Sequence, residues 1–241
     1  FSSPWALKGE ISHLKIHDDE IAHNLTLWAA QATDEQRAIN TILDKNPELI
    51  KGRLLKVIDF LEQEIDLSDS LSGKVVVFTK YRDTMTHFMK MLDSRELKAV
   101  SFSSDMSRDE LEDSVYLFQN DPQCKIIVCD ETGGEGRNFQ NADWIIQLDL
   151  PWTANAIEQR IGRLDRLGRE ESHMVVNTVV ITAKDTIDEQ LFTIWDQGMH
   201  LFENSLSGLE IITRELNQAI SEALLDDFYN GLANALDDIV E

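Results

Sequence analysis

Two stretches of this 241-residue chain concentrate residue types able to act on phosphate. The first runs from Gln159 to Arg169 and reads QRIGRLDRLGR. Arg160, Arg163, Arg166 and Arg169 recur there at every third position, interrupted by Gly162 and Gly168. A guanidinium stays charged and donates paired hydrogen bonds from a fixed plane, which suits phosphate oxygens. Placed against a transferring γ-phosphoryl group, it stabilises the charge of the transition state. The plain alternative is a solvated helix face balanced by Glu158 and Asp165. Gly162 counts against that, because such a face has no need of a residue that weakens a helix. The second stretch, Asp130 to Asn138, reads DETGGEGRN and leaves the end of a predicted strand. Gly133, Gly134 and Gly136 allow close backbone approach, and their N–H groups can face an anion. The same residues also read as a plain glycine turn or as half of a dinucleotide fingerprint. That fingerprint requires glycine at position 139, where Phe139 stands.

Several other chemistries have no motif here. There is no GxxxxGK[ST] loop to hold a β-phosphate and magnesium, no HExxH, no CxxC and no GxSxG elbow. His13 and His17 stand four residues apart without a third ligand, so no metal site is expected.

The elements that must position these stretches follow from hydrophobic spacing. Lys74–Lys80, Leu97–Ser103, Lys125–Asp130, Trp144–Asp149 and Met174–Thr182 read as short strands rich in β-branched residues. Helical faces fall between them, at Met85, Phe88, Met89 and Leu92, and at Leu111, Val115 and Phe118. Ser107 with Glu110 forms a capping box ahead of the second face, and Asn155 with Glu158 is a candidate cap for the next helix. Strands alternating with helices predict a parallel sheet covered on both faces. Leu54, Ile58, Leu61 and Ile65 make an apolar helix face upstream, with Pro47 as a break before it. Ile187, Leu191, Ile194, Trp195 and Phe202 begin a helical run downstream, continued by Leu209, Ile212, Leu216, Ile220 and Leu224. Three parts are expected: a helical segment and linker over 1–70, an α/β lobe over 71–185, and an acidic helical extension over 186–241.

Charge supports this division. The net charge of −22 argues at face value against binding a polyanion. Yet 186–241 carries −11 of it and 71–185 only −5, so the acidity belongs mainly to the extension. No run of apolar residues is long enough to span a membrane. Cys124 and Cys129, if they share one strand, lie too far apart to bridge, and the expectation is a reduced, cytoplasmic protein. The chain opens on Phe1 rather than Met, which reads as a piece of something longer.

QRIGRLDRLGR resembles motif VI of superfamily 2 helicases, ETGGEGRNFQ resembles motif V of their Swi/Snf-type branch, and KVVVFTK resembles motif IV. The pair EGRNFQ and LPW…EQRIGRLDR is similar to the RapA-like branch, as is the opening SPWAL. The resemblance implies a RecA-like second motor lobe, a parallel β-sheet flanked by helices with helical extensions at both ends. It implies that ATP and Mg2+ are held mainly by a first RecA-like lobe in the same full-length protein. On this chain the arginine fingers fall at Arg163 and Arg166, with Gln159 beside them, and Gly134 and Gly136 approach the nucleotide. Nucleic acid, duplex DNA by the Swi/Snf resemblance, would meet Thr79, Lys80, Ser103, Ser104 and Asn138. The fragment alone is expected to lack ATPase activity. A docking role, in which the acidic extension binds RNA polymerase or another protein, stands as the alternative. The chain departs from the family pattern at Ser103-Ser104-Asp105, at Arg169, and at Asp130, where the family usually places a hydroxyl that meets a phosphate.

Overall fold

The computed structural model describes residues 41, 47–65, 67, 73–130, 139–164, 175–202, 210–227 and 231–234. Helix α1 (Pro47–Gln63) leads into β1 (Lys74–Phe78), α2 (Arg82–Ser94), β2 (Ala99–Phe102), α3 (Arg108–Asn120) and β3 (Ile126–Cys129). There follow β4 (Ala142–Gln147), α4 (Ala154–Ile161), β5 (Asn177–Val180) and α5 (Ile187–Thr193), which passes directly into a π-helical turn at Ile194–Gly198. Helix α6 (Glu210–Asp226) and the short α7 (Gly231–Asn234) complete the described chain.

The five strands form one parallel sheet in the order β2-β3-β1-β4-β5. Every strand expected from the sequence is present, four of them trimmed at their ends and β4 shifted to begin two residues earlier, at Ala142, and both sheet faces are covered. Side chains alternate between the two faces along each strand. On one face Val75, Val77, Ile126, Val128 and Ile146 pack against Leu54, Ile58, Leu61 and Ile65, with Met85, Phe88 and Leu92 of α2. On the other, Val76, Phe78, Ile127, Cys129 and Ile145 meet Val115 and Phe118 of α3. Phe139 fills the same layer, edge-on to Phe102 and Phe118. Burial on both sides explains why the strands read as near-continuous apolar runs.

Two local expectations need correction. Pro47 opens α1 rather than interrupting the chain before it, a position where its missing N–H is not needed. Asn155 lies inside α4; the residue preceding the helix is Thr153, in extended conformation and without a side-chain capping bond. By contrast, Ser107 and Glu110 form the reciprocal capping box. Lys74 closes the other end of α3 by donating to the carbonyl oxygens of Phe118, Asp121 and Cys124. Its burial there lowers its pKa.

The flanking helices are packed onto the lobe. The buried Leu150, Ala154 and Ile157 share a third core with Leu191, Ile194, Trp195, Leu201, Ile220 and Leu232. The Trp195 indole N–H donates to the Pro151 carbonyl at 3.3 Å. Arg53 of α1 donates to the Leu148 carbonyl at 3.1 Å and pairs with Asp188 of α5. Among the described residues, no helix is long and apolar enough to cross a membrane.

Candidate ATPase and nucleic-acid face

One register row, Phe102–Cys129–Phe78–Gln147–Val180, crosses all five strands. Because the strands are parallel, the residues that follow this row emerge together along one edge. Thr79, Lys80, Ser103, Ser104, Asp130 and Asp149 all lie there. Ligands of such sheets bind outside this carboxyl edge.

Lys80, Ser103 and Ser104 line a common cleft of about 280 Å³ with Arg82, Met85, Asp105 and Asp130. The cleft holds both signs of charge. Arg82 pairs with Asp105, whose carboxylate also accepts from the Ser103 hydroxyl. The Ser103 bond, and then the Arg82 charge, hold the Asp105 carboxyl below the usual carboxylate range. Asp130 accepts from the Ser104 amide at 2.8 Å and from its hydroxyl at 2.9 Å. The unusual carboxylate thus fastens the end of β3 to the loop after β2.

Thr79, a contact residue expected from the sequence, turns its side chain inwards. It is fully buried, and its hydroxyl donates to Asp149 at 2.6 Å. Lys80 donates its backbone N–H to the same carboxylate, at 3.0 and 3.1 Å, and leaves its own side chain exposed.

Arg160 completes this network. It is 4% exposed, at the last turn of α4. One guanidinium nitrogen donates to Gln147 at 2.6 Å and to the Asp149 carbonyl at 2.8 Å; the other meets the Asp149 carboxylate at 3.2 Å. Its plane lies over the Phe78 ring, 5.4 Å from the centroid. A buried ion pair is costly unless its remaining hydrogen-bonding groups are engaged. Here the carboxylate accepts from Thr79, Lys80 and Arg160 together.

The arginine array therefore does not act as one stripe. Helix α4 ends at Ile161, and Gly162 follows with ordinary right-handed angles. A Cβ on Gly162 would stand 3.1 Å from the Glu158 carbonyl oxygen, so close contact rather than backbone freedom favours glycine. Arg163 is half-buried, with its N–H donating to the Arg160 carbonyl at 3.3 Å and its carbonyl accepting from Phe139 at 3.0 Å. Gln159 is exposed on α4. Gly134, Gly136, Asn138 and Arg166 lie outside the described residues.

Sequence reasoning did not single out Asp149, Arg160 or Phe139 for these roles. A usable signal existed for Asp149, a carboxylate directly after a buried strand. Nothing in a three-residue arginine repeat distinguishes its inward member from its outward ones.

Residues 56–168 match the family model for the helicase conserved C-terminal domain. An uncharacterized ATP-dependent helicase of Bacillus subtilis, YqhH, is 30% identical over 203 residues, covering 83% of this chain and 34% of the relative. The RNA polymerase-associated protein RapA of Vibrio campbellii is 32% identical over 180 residues, covering 73% of this chain and 18% of the relative. The chain thus spans about a third or less of the length of these relatives. In fold it is similar to the SWI2/SNF2 ATPase core of Sulfolobus solfataricus, solved in complex with dsDNA. The TM-score is 0.53 at 21% identity, over 79% of this chain and 36% of that one. The motifs, the parallel sheet and these likenesses agree that residues 56–168 are a helicase C-terminal domain, similar to that of helicase-like relatives such as YqhH and RapA.

Proposed function

We propose that this chain is the second motor lobe of an ATP-dependent nucleic-acid translocase. A first RecA-like lobe in the same full-length protein would supply the P-loop and hold most of the ATP and Mg2+. The observation that carries this reading is the joint fixing of Arg163 by Arg160 and Phe139 at the edge of the sheet. A backbone pinned at both its N–H and its carbonyl fixes where the Arg163 side chain starts, as a group that must meet a developing charge requires. Arg163 and Arg166 would act as the fingers, with Gln159, Gly134 and Gly136 beside the nucleotide. ATP supplies the γ-phosphoryl group; this lobe supplies positive charge and excludes water on closing. Lys80, Ser103, Ser104 and Asn138 would track the nucleic-acid strand. Duplex DNA is the favoured substrate, because a dsDNA complex is known for a structure with this fold.

The decisive test is Arg166→Ala in the full-length protein. Nucleic-acid-stimulated turnover should fall by about 10³–10⁵ with the fold intact. Unchanged turnover would overturn the reading. The isolated 241-residue chain should hydrolyse no ATP.

A second reading gives the C-terminal helices a docking role toward RNA polymerase or another protein. Its support is the outer face of α6, where Glu215, Glu222 and Asp226 are exposed while Ile220 faces the third core. Neutralising these three residues in the full-length protein should abolish co-purification with RNA polymerase if docking is their role.

A further inference from the structure

We infer that the buried Thr79–Asp149–Arg160 network couples the nucleic-acid edge of this lobe to its arginine fingers, with Asp149 as the positioning residue. The inference rests on the motor reading above and goes beyond it by naming the connection within the lobe.

The carboxylate of Asp149 is where the two sides meet. From the strand-β1 side it accepts the Thr79 hydroxyl at 2.6 Å and the Lys80 amide at 3.0 Å. The Lys80 side chain stands in the cleft with Ser103 and Ser104. From the α4 side the carboxylate accepts Arg160 at 3.2 Å, and the same guanidinium holds the Asp149 main-chain carbonyl at 2.8 Å. The Arg160 carbonyl in turn accepts the Arg163 amide at 3.3 Å. A shift of the backbone at Lys80 therefore reaches Arg163 through one buried side chain and one helix end. Thr79 and Arg160 are 0% and 4% exposed, so water cannot substitute for the lost partners. Packed networks of this kind hold discrete arrangements rather than deforming continuously. Neither Asp149 nor Arg160 needs to touch phosphate for this role.

The test uses the full-length protein, with ATP turnover measured across a titration of duplex DNA and DNA affinity measured directly. Thr79→Val replaces the hydroxyl, which also accepts from the Tyr81 amide at 3.2 Å, with a methyl group; Thr79→Ser retains it. The expected result is that Thr79→Val lowers maximal DNA-stimulated turnover by about tenfold, the size of one hydrogen bond to a charged group. DNA affinity should change by less than about threefold and Thr79→Ser should restore stimulation, since the lost step is transmission rather than contact. Asp149→Asn, in which an amide meets the Lys80 N–H or the Arg160 fork, should show the same split. Full stimulation in Thr79→Val, equal loss in Thr79→Ser, or loss of DNA affinity in parallel with turnover would each overturn the inference. A wild-type protein with no DNA stimulation would overturn the motor reading itself, before any variant is compared.

Discussion

The amide of Phe139 donates to the carbonyl oxygen of Arg163 at 3.0 Å. This bond joins the residue that follows the glycine-rich stretch to the first of the proposed fingers. Phe139 is itself wedged edge-on between Phe102 and Phe118, so the aromatic core of one sheet face sets where Arg163 begins. Truncating Phe139 to Ala should cost about 3–5 kcal/mol of stability by urea unfolding. Phe139→Leu, which keeps most of the volume, should cost less and should lower turnover in the full-length protein through misplacement of Arg163.

Arg163→Lys keeps a positive charge but loses the planar fork. If Arg163 serves as a finger, steady-state kinetics of the full-length variant should show a large fall in kcat. Circular dichroism melts should match the wild type. Recovery of wild-type kcat by lysine would show that charge alone suffices there, contrary to the expectation from guanidinium geometry.

The cleft at Lys80 carries Asp105 and Asp130 opposite two cations. Each carboxylate repels a phosphate backbone. Asp105→Asn should therefore tighten DNA binding by the full-length protein, by a few-fold at low salt, with the gain shrinking as salt rises. The Asp105 carboxyl is held below its ordinary value of 3.8, chiefly by Ser103 and then by Arg82. Stability from this group is thus present above the unfolded-state pKa and is lost as pH falls through the lower, folded one. A carboxyl-carbon NMR titration should show Asp105 titrating below a free aspartate, and Ser103→Ala should move it back upward.

Both cysteines are buried and unbridged. Burial pushes the Cys129 thiol far up from its ordinary range, and desolvation also raises Cys124. Neither should react with a thiol reagent at pH 8 until the protein unfolds. Rapid labelling of either in the native state would contradict their packing. The raised pKa favours folding below the unfolded value and withdraws that contribution as pH climbs beyond it.

Trp195 ties the C-terminal helices to the lobe. It is fully buried, and its indole N–H reaches Pro151. Trp195→Ala should cost about 3–5 kcal/mol. Trp195→Phe, which loses the hydrogen bond and leaves a smaller cavity, should cost less than the alanine variant. Deleting 186–241 uncovers Leu150, Ala154 and Ile157, so the truncated lobe should bind a hydrophobic dye and aggregate.

Much of the scaffold was legible in the sequence because its signals are local. The apolar run of Lys74–Phe78 could be satisfied only by burial on both faces, and the spacing of Ser107 and Glu110 specifies a cap by itself. Periodicity likewise placed Leu54, Ile58, Leu61 and Ile65 on one buried face. The tertiary structure decided how the charged residues divide their work. Arg160 and Arg163 are the same residue type three positions apart, and nothing in the chain order marks one as buried and the other as half-exposed. That difference arises because α4 ends between them, and because Gln147 and Asp149, brought by β4 to the same edge, offer acceptors to both terminal nitrogens of Arg160. Thr79 and Lys80 diverge just beyond the end of β1: the first is held inward by Asp149, and the second stands in the cleft. Composition and spacing determined which chemistry the chain can support; long-range pairing at the sheet edge determined which of its charged side chains are buried and which reach the surface.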